Sequence, residues 1–181
     1  MSWSAEFAVP CVSPAVGAAL RLLARATRAR AVVELGTGLG VSGLWLLQGL
    51  APEAVLTTID KDLDHQQMAR QAFAAAGAPA GRVRLITGRA ERMLARLADH
   101  GYDLVLVDLD DEYPQWTDGD EDPPPPFWLA HAARLLRPGG LLLLHQPTDH
   151  AVTAVAGPGW SPAWLGDDLL AATRDEPHPL I

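Results

Sequence analysis

With 181 residues, 49% of them apolar and 20% charged, the chain is long and apolar enough for one full hydrophobic core and is not a disordered polypeptide. Its formal net charge of −8 speaks against nonspecific affinity for nucleic acid, and no apolar run approaches the ~18 residues of a membrane span. The single cysteine, Cys11, excludes an intrachain disulfide and a cysteine-rich metal site, fits a reducing cytoplasm, and reads as a small buried apolar residue.

Met1 to Pro10 is a lead without clear periodicity, and it lacks the basic segment and apolar core of an export signal. Ser13-Pro14 is a helix start, an N-cap followed by proline at the first helical position, and the helix is expected to run to about Arg30. Ala31 to Leu35 is the first strand. It carries the acid Glu34 and passes into three alternating glycines, Gly36, Gly38 and Gly40, with Thr37 and Leu39 between them. A helix follows from Val41 to about Leu50. Glycines at such a turn permit positive φ and a close approach of ligand to backbone, and the helix N-terminus offers N–H groups to an anionic group. Val55 to Ile59 is a second strand, ending at Asp60 and Lys61. Leu63 to Ala76 is helical and stops at Gly77, a C′ glycine. Val83 to Thr87 is a third strand, followed by Gly88-Arg89 and a helix predicted over Ala90 to Ala98. Tyr102 to Val107 is a fourth strand, ending at Asp108.

The alternation then breaks. Residues 110–126 hold seven acids, no base and five prolines, a composition that requires a loop. Helix returns from Phe127 to about Leu136, Arg137-Pro138-Gly139-Gly140 reads as a turn, and Leu141 to Leu144 is a fifth strand ending at His145. Ala151 to Ala156 is a helical remnant or a short strand. Ser161 to Leu165 and Leu169 to Thr173 pair as a hairpin around Gly166-Asp167.

Strands alternating with helices imply one domain, residues 1–181, with a mostly parallel sheet covered on both faces. Ligands of such folds lie beyond the carboxyl ends of the strands. Glu34, Asp60, Asp108 and His145 all fall at that edge, a grouping that core packing does not require. The glycine spacing is G-x-G-x-G rather than the G-x-G-x-x-G of dinucleotide folds. Asp60 stands where a carboxylate accepts ribose hydroxyl hydrogens. Glu34 would repel a pyrophosphate and attract an ammonium or sulfonium, which favours S-adenosylmethionine over a nicotinamide dinucleotide.

Val33-Glu34-Leu35-Gly36-Thr37-Gly38-Leu39-Gly40-Val41-Ser42 resembles motif I of class I S-adenosylmethionine-dependent methyltransferases. With Thr57-Thr58-Ile59-Asp60, Tyr102 to Asp108, Leu135 to Leu141 and Ser13-Pro14, the chain is similar to the catechol O-methyltransferase-like group, its small bacterial members in particular. The resemblance implies a Rossmann-like, doubly wound, seven-stranded sheet of order 3-2-1-4-5-7-6, here with a shortened C-terminal part. It implies that Glu34, Gly36, Thr37, Gly38 and Gly40 lie along the methionyl and ribose portion of the cofactor. Ser42 would bond its carboxylate, Asp60 and Lys61 would stand at the ribose, Gly88, Arg89 and Ala90 would border the adenine, and Asp108 would lie under the methionyl amine.

The chain also departs from that group. Catechol-methylating members hold a divalent metal through an acid after the fourth strand and Asp-Asn after the fifth. Asp108 matches the first, but His145-Gln146 stands for the other two, so a magnesium site is not expected. Asp108, Asp110 and His145 could instead suit a transition metal, or Asp108 could serve only the cofactor ammonium. The lysine three residues after the first acid is replaced by Asp111. His145, with an ordinary pKa of ~6.5, or Asp110 is the candidate general base. The acidic loop reads as a solvated segment or as an attractor of a cationic acceptor. Trp116, Trp128, Trp160 and Trp164 could stack a planar acceptor or could serve packing. The short tail leaves one sheet face thinly covered, which predicts a homodimer. The expected activity is methyl transfer to a hydroxyl of a small, perhaps aromatic, acceptor. A protein of this fold that binds the same cofactor as a scaffold, or for a reaction such as a cyclisation, is the alternative.

Overall fold

The computed structural model describes residues 11–79, 81–109 and 124–175. In chain order the elements are α1 (Pro14–Ala26), β1 (Ala31–Leu35), α2 (Val41–Gly49), β2 (Val55–Asp60), α3 (Leu63–Ala75), β3 (Val83–Thr87), α4 (Ala90–Leu94), β4 (Tyr102–Val107), α5 (Phe127–Leu135), β5 (Leu136–His145), α6 (Asp149–Val155), β6 (Trp160–Trp164) and β7 (Leu169–Arg174). The strands form one sheet in the order β3-β2-β1-β4-β5-β7-β6, as expected. β1 pairs in parallel with β2 and β4, as do β2 with β3 and β4 with β5, while β7 runs antiparallel to both β5 and β6.

The central strands are mostly apolar because both faces are covered, and the buried polar residues in them, Glu34 of β1 and Thr57 and Thr58 of β2, are exceptions. Successive side chains take opposite sides. Val32, Leu104, Leu106, Leu141 and Leu143 face α1, α2 and α3, with Leu20, Leu46 and Phe73 packed on them. Val33, Leu35, Val105, Val107, Leu142 and Leu144 face α4, α5 and α6, where Leu94, Trp128, Leu135 and Val155 fill the second layer. The two helices α1 and α2 cross closely: a Cβ on Gly17 would stand 2.3 Å from Trp45 Nε1, and one on Gly49 would stand 2.2 Å from the Arg21 carbonyl. The Arg21 guanidinium lies over the Trp45 ring, 5.5 Å from its centre.

Several boundaries differ from the sequence reading. Helix α1 stops at Ala26, four residues early. Arg28 takes φ +52°, and Ala29 N–H reaches back to the Ala24 carbonyl, a C-terminal motif built without glycine. Helix α4 ends at Leu94 rather than Ala98, because Arg96 and Leu97 bond to carbonyls three residues back and tighten the chain into turns. Strand β5 begins at Leu136, so Arg137 to Gly140 forms an irregular stretch within it. Tyr102 pairs with Leu136 and Leu104 with Leu141, and Gly139 takes φ +72° to absorb the excess chain. Ala151 to Val155 resolves as helix, the core of α6, with Ala156 as its C-cap and the Thr148 hydroxyl accepting Ala151 N–H at the other end.

Candidate functional site

A cleft of about 260 Å³ opens at the carboxyl ends of β1, β2, β4 and β5. Each strand end is stitched to its neighbour. Gly36 N–H donates to the Ile59 carbonyl at 2.9 Å, Gly88 N–H to the Asp60 carbonyl at 2.8 Å, and Asp108 N–H to the Leu35 carbonyl at 2.8 Å. The glycines of the turn have separate tasks. Gly36, at φ +91°, leaves room for the fourth strand: a Cβ there would lie 1.8 Å from the Asp108 carbonyl oxygen. Gly40, at φ +83°, admits α3, since its Cβ would meet Ala69 and Phe73 at 3.2 Å. Gly38, at φ +47°, turns its N–H onto Asp60 Oδ2 at 3.0 Å. Helix α2 therefore starts at an N-cap, Gly40, that supplies no side-chain hydrogen bond, and its first residues Val41 and Ser42 border the cleft.

The walls are rich in carboxylates. Asp60, Asp62, Glu91 and Asp108 line them, with Lys61, His65 and His145 as the basic groups. Asp60 is oriented by Gly38 N–H and by Asp62 N–H on Oδ1 at 2.9 Å, and His65 Nδ1 stands 3.5 Å from its Oδ2. Behind the wall, Glu34 is fully buried. Its Oε1 accepts the Ser42 hydroxyl at 2.6 Å, while Oε2 meets no hydrogen-bond partner. Burial pushes its carboxyl up to about 7. The Ser42 and Thr58 hydroxyls work against that rise, and the charges of Asp108 and Asp60 add to it.

At the end of β5, His145 Nδ1 lies 2.6 Å from Asp108 Oδ1, with the imidazole almost fully enclosed. Burial by itself lowers the His145 pKa. The hydrogen bond and charge of Asp108, with the charge of Asp168, outweigh it and leave the pKa raised. The following residue, Gln146, takes φ +46°, and its N–H is held by the Asp168 carbonyl at 2.7 Å. The turn before β7 thus fixes the backbone that carries the imidazole.

Residues 33–146, more than half of the chain, match a family model described as a methyltransferase domain. The chain belongs to the methyltransferase domain family. A relative of this methyltransferase from Mycolicibacterium vanbaalenii, provisionally named an O-methyltransferase, is 46% identical over 187 residues, spanning 91% of this chain and 77% of the relative. A relative from Mycobacterium sp. strain JLS with the same provisional name is 50% identical over 191 residues, with 91% and 79% covered. Among solved structures, the O-methyltransferase TomG of Streptomyces achromogenes, crystallised in complex with SAM, is similar at 26% identity and a TM-score of 0.77, covering 96% of this chain and 86% of that one.

Most of the expected site residues of this methyltransferase border one cleft: Gly36, Thr37, Gly38, Ser42, Asp60, Lys61, Gly88, Ala90, Asp108 and His145. Three do not. Glu34 stands behind the wall, Gly40 serves helix packing, and Arg89 is an exposed N-cap of α4. Asp110, Trp116 and nearly all of the acidic segment, residues 110–123, lie outside the described residues. Trp128 and Trp160 are buried in the second layer and Trp164 is half-exposed on β6. Trp128 borders a small cavity of about 40 Å³ that shares Leu109, His145 and Gln146 with the main cleft. Phe127, His65 and Val12 line the cleft without having been singled out in the sequence, since nothing in their local spacing marks them. Cys11 is half-buried and also reaches the cleft. Burial and the Asp108 charge push its thiol up, away from the thiolate.

The donor set fits the two implied groups differently. A cradle of carboxylates around a backbone turn suits a ligand carrying ammonium and sulfonium charge and would repel a pyrophosphate. A divalent metal held by three oxygen ligands is not matched. Asp108 Oδ1 is taken by His145, Gln146 stands where the resemblance calls for Asn, and no group of three His, Cys, Asp or Glu side chains suited to a metal occurs among the described residues. No helix among the described residues is long and apolar enough to cross a membrane.

Proposed function

We propose that this methyltransferase takes S-adenosylmethionine in the carboxylate-lined cleft and methylates a hydroxyl of a small acceptor, with His145 as general base and Asp108 as its partner. The observation that carries the reading is the Asp108–His145 pair opening on the same cleft as the glycine turn and Asp60. Asp60 stands ready for the ribose hydroxyls, Lys61 beside it at the cleft edge, and Gly88 and Ala90 border the adenine. Gly36, Thr37 and Gly38 run along the methionyl and ribose portion, with Ser42 at the start of α2. The cofactor supplies an electrophilic methyl group. Asp108 holds His145 through Nδ1, so Nε2 is the ring nitrogen left to accept the hydroxyl proton as the acceptor oxygen becomes nucleophilic. The imidazolium formed is stabilised by the same carboxylate. Near-attack alignment of the two substrates supplies much of the remaining rate gain.

Support for O-methylation of a small molecule comes from the provisional names of the curated relatives and from the SAM complex of TomG. The acceptor lies on the His145 side of the cleft, where Phe127 and Leu109 give it apolar walls. Titration calorimetry with S-adenosylmethionine, S-adenosylhomocysteine and NAD tests the cofactor. Binding of both sulfur nucleosides and not of NAD is expected, and no binding of either sulfur nucleoside refutes the reading. A screen of hydroxylated acceptors with methyl-labelled cofactor then identifies the substrate. We extend the proposal to a homodimer, since β6 is an edge strand with Trp164 half-exposed beside Leu165.

A further inference from the structure

Gln66, on the first turns of α3, is only 2% exposed, and its side chain lies behind the cleft rather than in it. Its Nε2 donates to Thr37 Oγ1 at 2.9 Å and to the Ile86 carbonyl at 3.2 Å. A carbonyl oxygen can only accept, so the amide has one possible orientation, with nitrogen toward Ile86. That orientation leaves Oε1 buried and without a hydrogen-bond partner. A methionine or leucine of similar volume would fill the same space with no unpaired oxygen. The amide is therefore a poor choice for packing, and its two partners give it another role.

Thr37 belongs to the glycine turn and lines one wall of the cleft. Its hydroxyl also shares a 2.7 Å hydrogen bond with Thr58, the β2 residue paired with Glu34. Ile86 lies two residues before Gly88, which lines the cleft where β3 ends. Gln66 joins these two walls from behind the cleft, through one nitrogen with both of its protons used. We infer that Gln66 is a positioning residue for the cofactor: it ties the glycine turn to the end of β3 and so fixes the spacing between the wall that receives the methionyl-ribose portion and the wall that borders the adenine. The inference rests on the reading of the cleft as an S-adenosylmethionine site. Gln66 acts through Thr37 and the Ile86 backbone, not by touching the cofactor.

The test is titration calorimetry with S-adenosylhomocysteine, paired with thermal unfolding of the same preparations without ligand. Gln66→Met keeps the volume and removes both donors. Its affinity is expected to fall about five- to twentyfold, the scale of one or two neutral hydrogen bonds, while its Tm stays at or above that of the wild type. A side chain that served packing alone would leave the affinity of this volume-matched variant unchanged, and affinity within twofold of wild type overturns the proposal. Thr37→Val removes the shared acceptor and provides a second variant. The double variant is expected to bind no more weakly than the weaker single one, and independent, multiplicative losses would overturn the brace. Wild-type protein that takes up no S-adenosylhomocysteine would instead refute the reading of the cleft, and the brace with it.

Discussion

His145 Nδ1 and Asp108 Oδ1 meet at 2.6 Å across the gap between the ends of β5 and β4. The pair sets the protonation of the imidazole against the effect of its own burial. In an Asp108→Asn variant the burial effect is left without its main opponent, and the His145 pKa is expected to drop from above the ordinary ~6.5 of histidine to below that in wild type. Long-range ¹H–¹⁵N NMR titration of the imidazole measures this without an acceptor. An unchanged pKa would remove Asp108 as the orienting partner. The sign of the linkage follows: in wild type His145 contributes stability that is complete below pH ~6.5 and is lost as pH rises through its raised folded value.

Glu34 gives a second pH signature. Its ordinary value of 4.5 rises to about 7 in the folded chain, so the native state holds a proton that the unfolded state releases. The contribution is fully present below pH 4.5 and fades as pH climbs through 7, amounting to about 3 kcal/mol across that window. Urea unfolding without ligand at pH 5, 6, 7 and 8 should show a stability slope in wild type that Glu34→Gln flattens. Parallel slopes in the two proteins would mean that Glu34 titrates normally.

Asp60 is presented to the cleft by two backbone N–H groups. Replacing it with alanine should cost roughly 1–3 kcal/mol of S-adenosylhomocysteine affinity through lost hydrogen bonds to the ribose. Calorimetry on Asp60→Ala decides it, and equal affinity would move the ribose elsewhere.

Two glycines with positive φ should respond very differently to alanine. Gly77, at φ +72°, has nothing within 4 Å of its missing Cβ, so Gly77→Ala carries only the left-handed backbone cost of about 1–2 kcal/mol. Gly36→Ala adds a collision with the Asp108 carbonyl and should cost more than about 4 kcal/mol or prevent folding. Denaturant midpoints compare the two, and similar values would contradict the packing described at the sheet edge.

Multi-angle scattering after size-exclusion chromatography tests the homodimer. A mass near twice the 19.3 kDa of the chain is expected, and a monomer at all concentrations would discard it.

The strands were legible because β1, β2, β4 and the second half of β5 are short, mainly apolar or β-branched runs bounded by turns or acids, as burial on both faces requires. The cleft was legible from Asp60, Asp108 and His145, since topology alone brings strand ends to one edge. What stayed hidden has identifiable causes. The end of α1 carries Arg28 in a conformation that usually announces itself as glycine, so the boundary had no mark. Glu34 could be assigned to the site but not to its hidden position, because a one-dimensional pattern does not say that Ser42 stands between it and the cleft. Gln66 sits in a helix of polar composition, and only the packing of α3 against β2 and the glycine turn reveals which of its two adjacent glutamines, Gln66 or Gln67, is inside.

The carbonyl of Asp108 occupies the space that a side chain on residue 36 would need. The glycine turn and the end of β4 that carries the Asp108 carboxylate are thus in van der Waals register in the resting fold. On the proposed reading of the cleft, the spacing between the glycine turn and the His145–Asp108 pair is set by the backbone packing of the sheet edge.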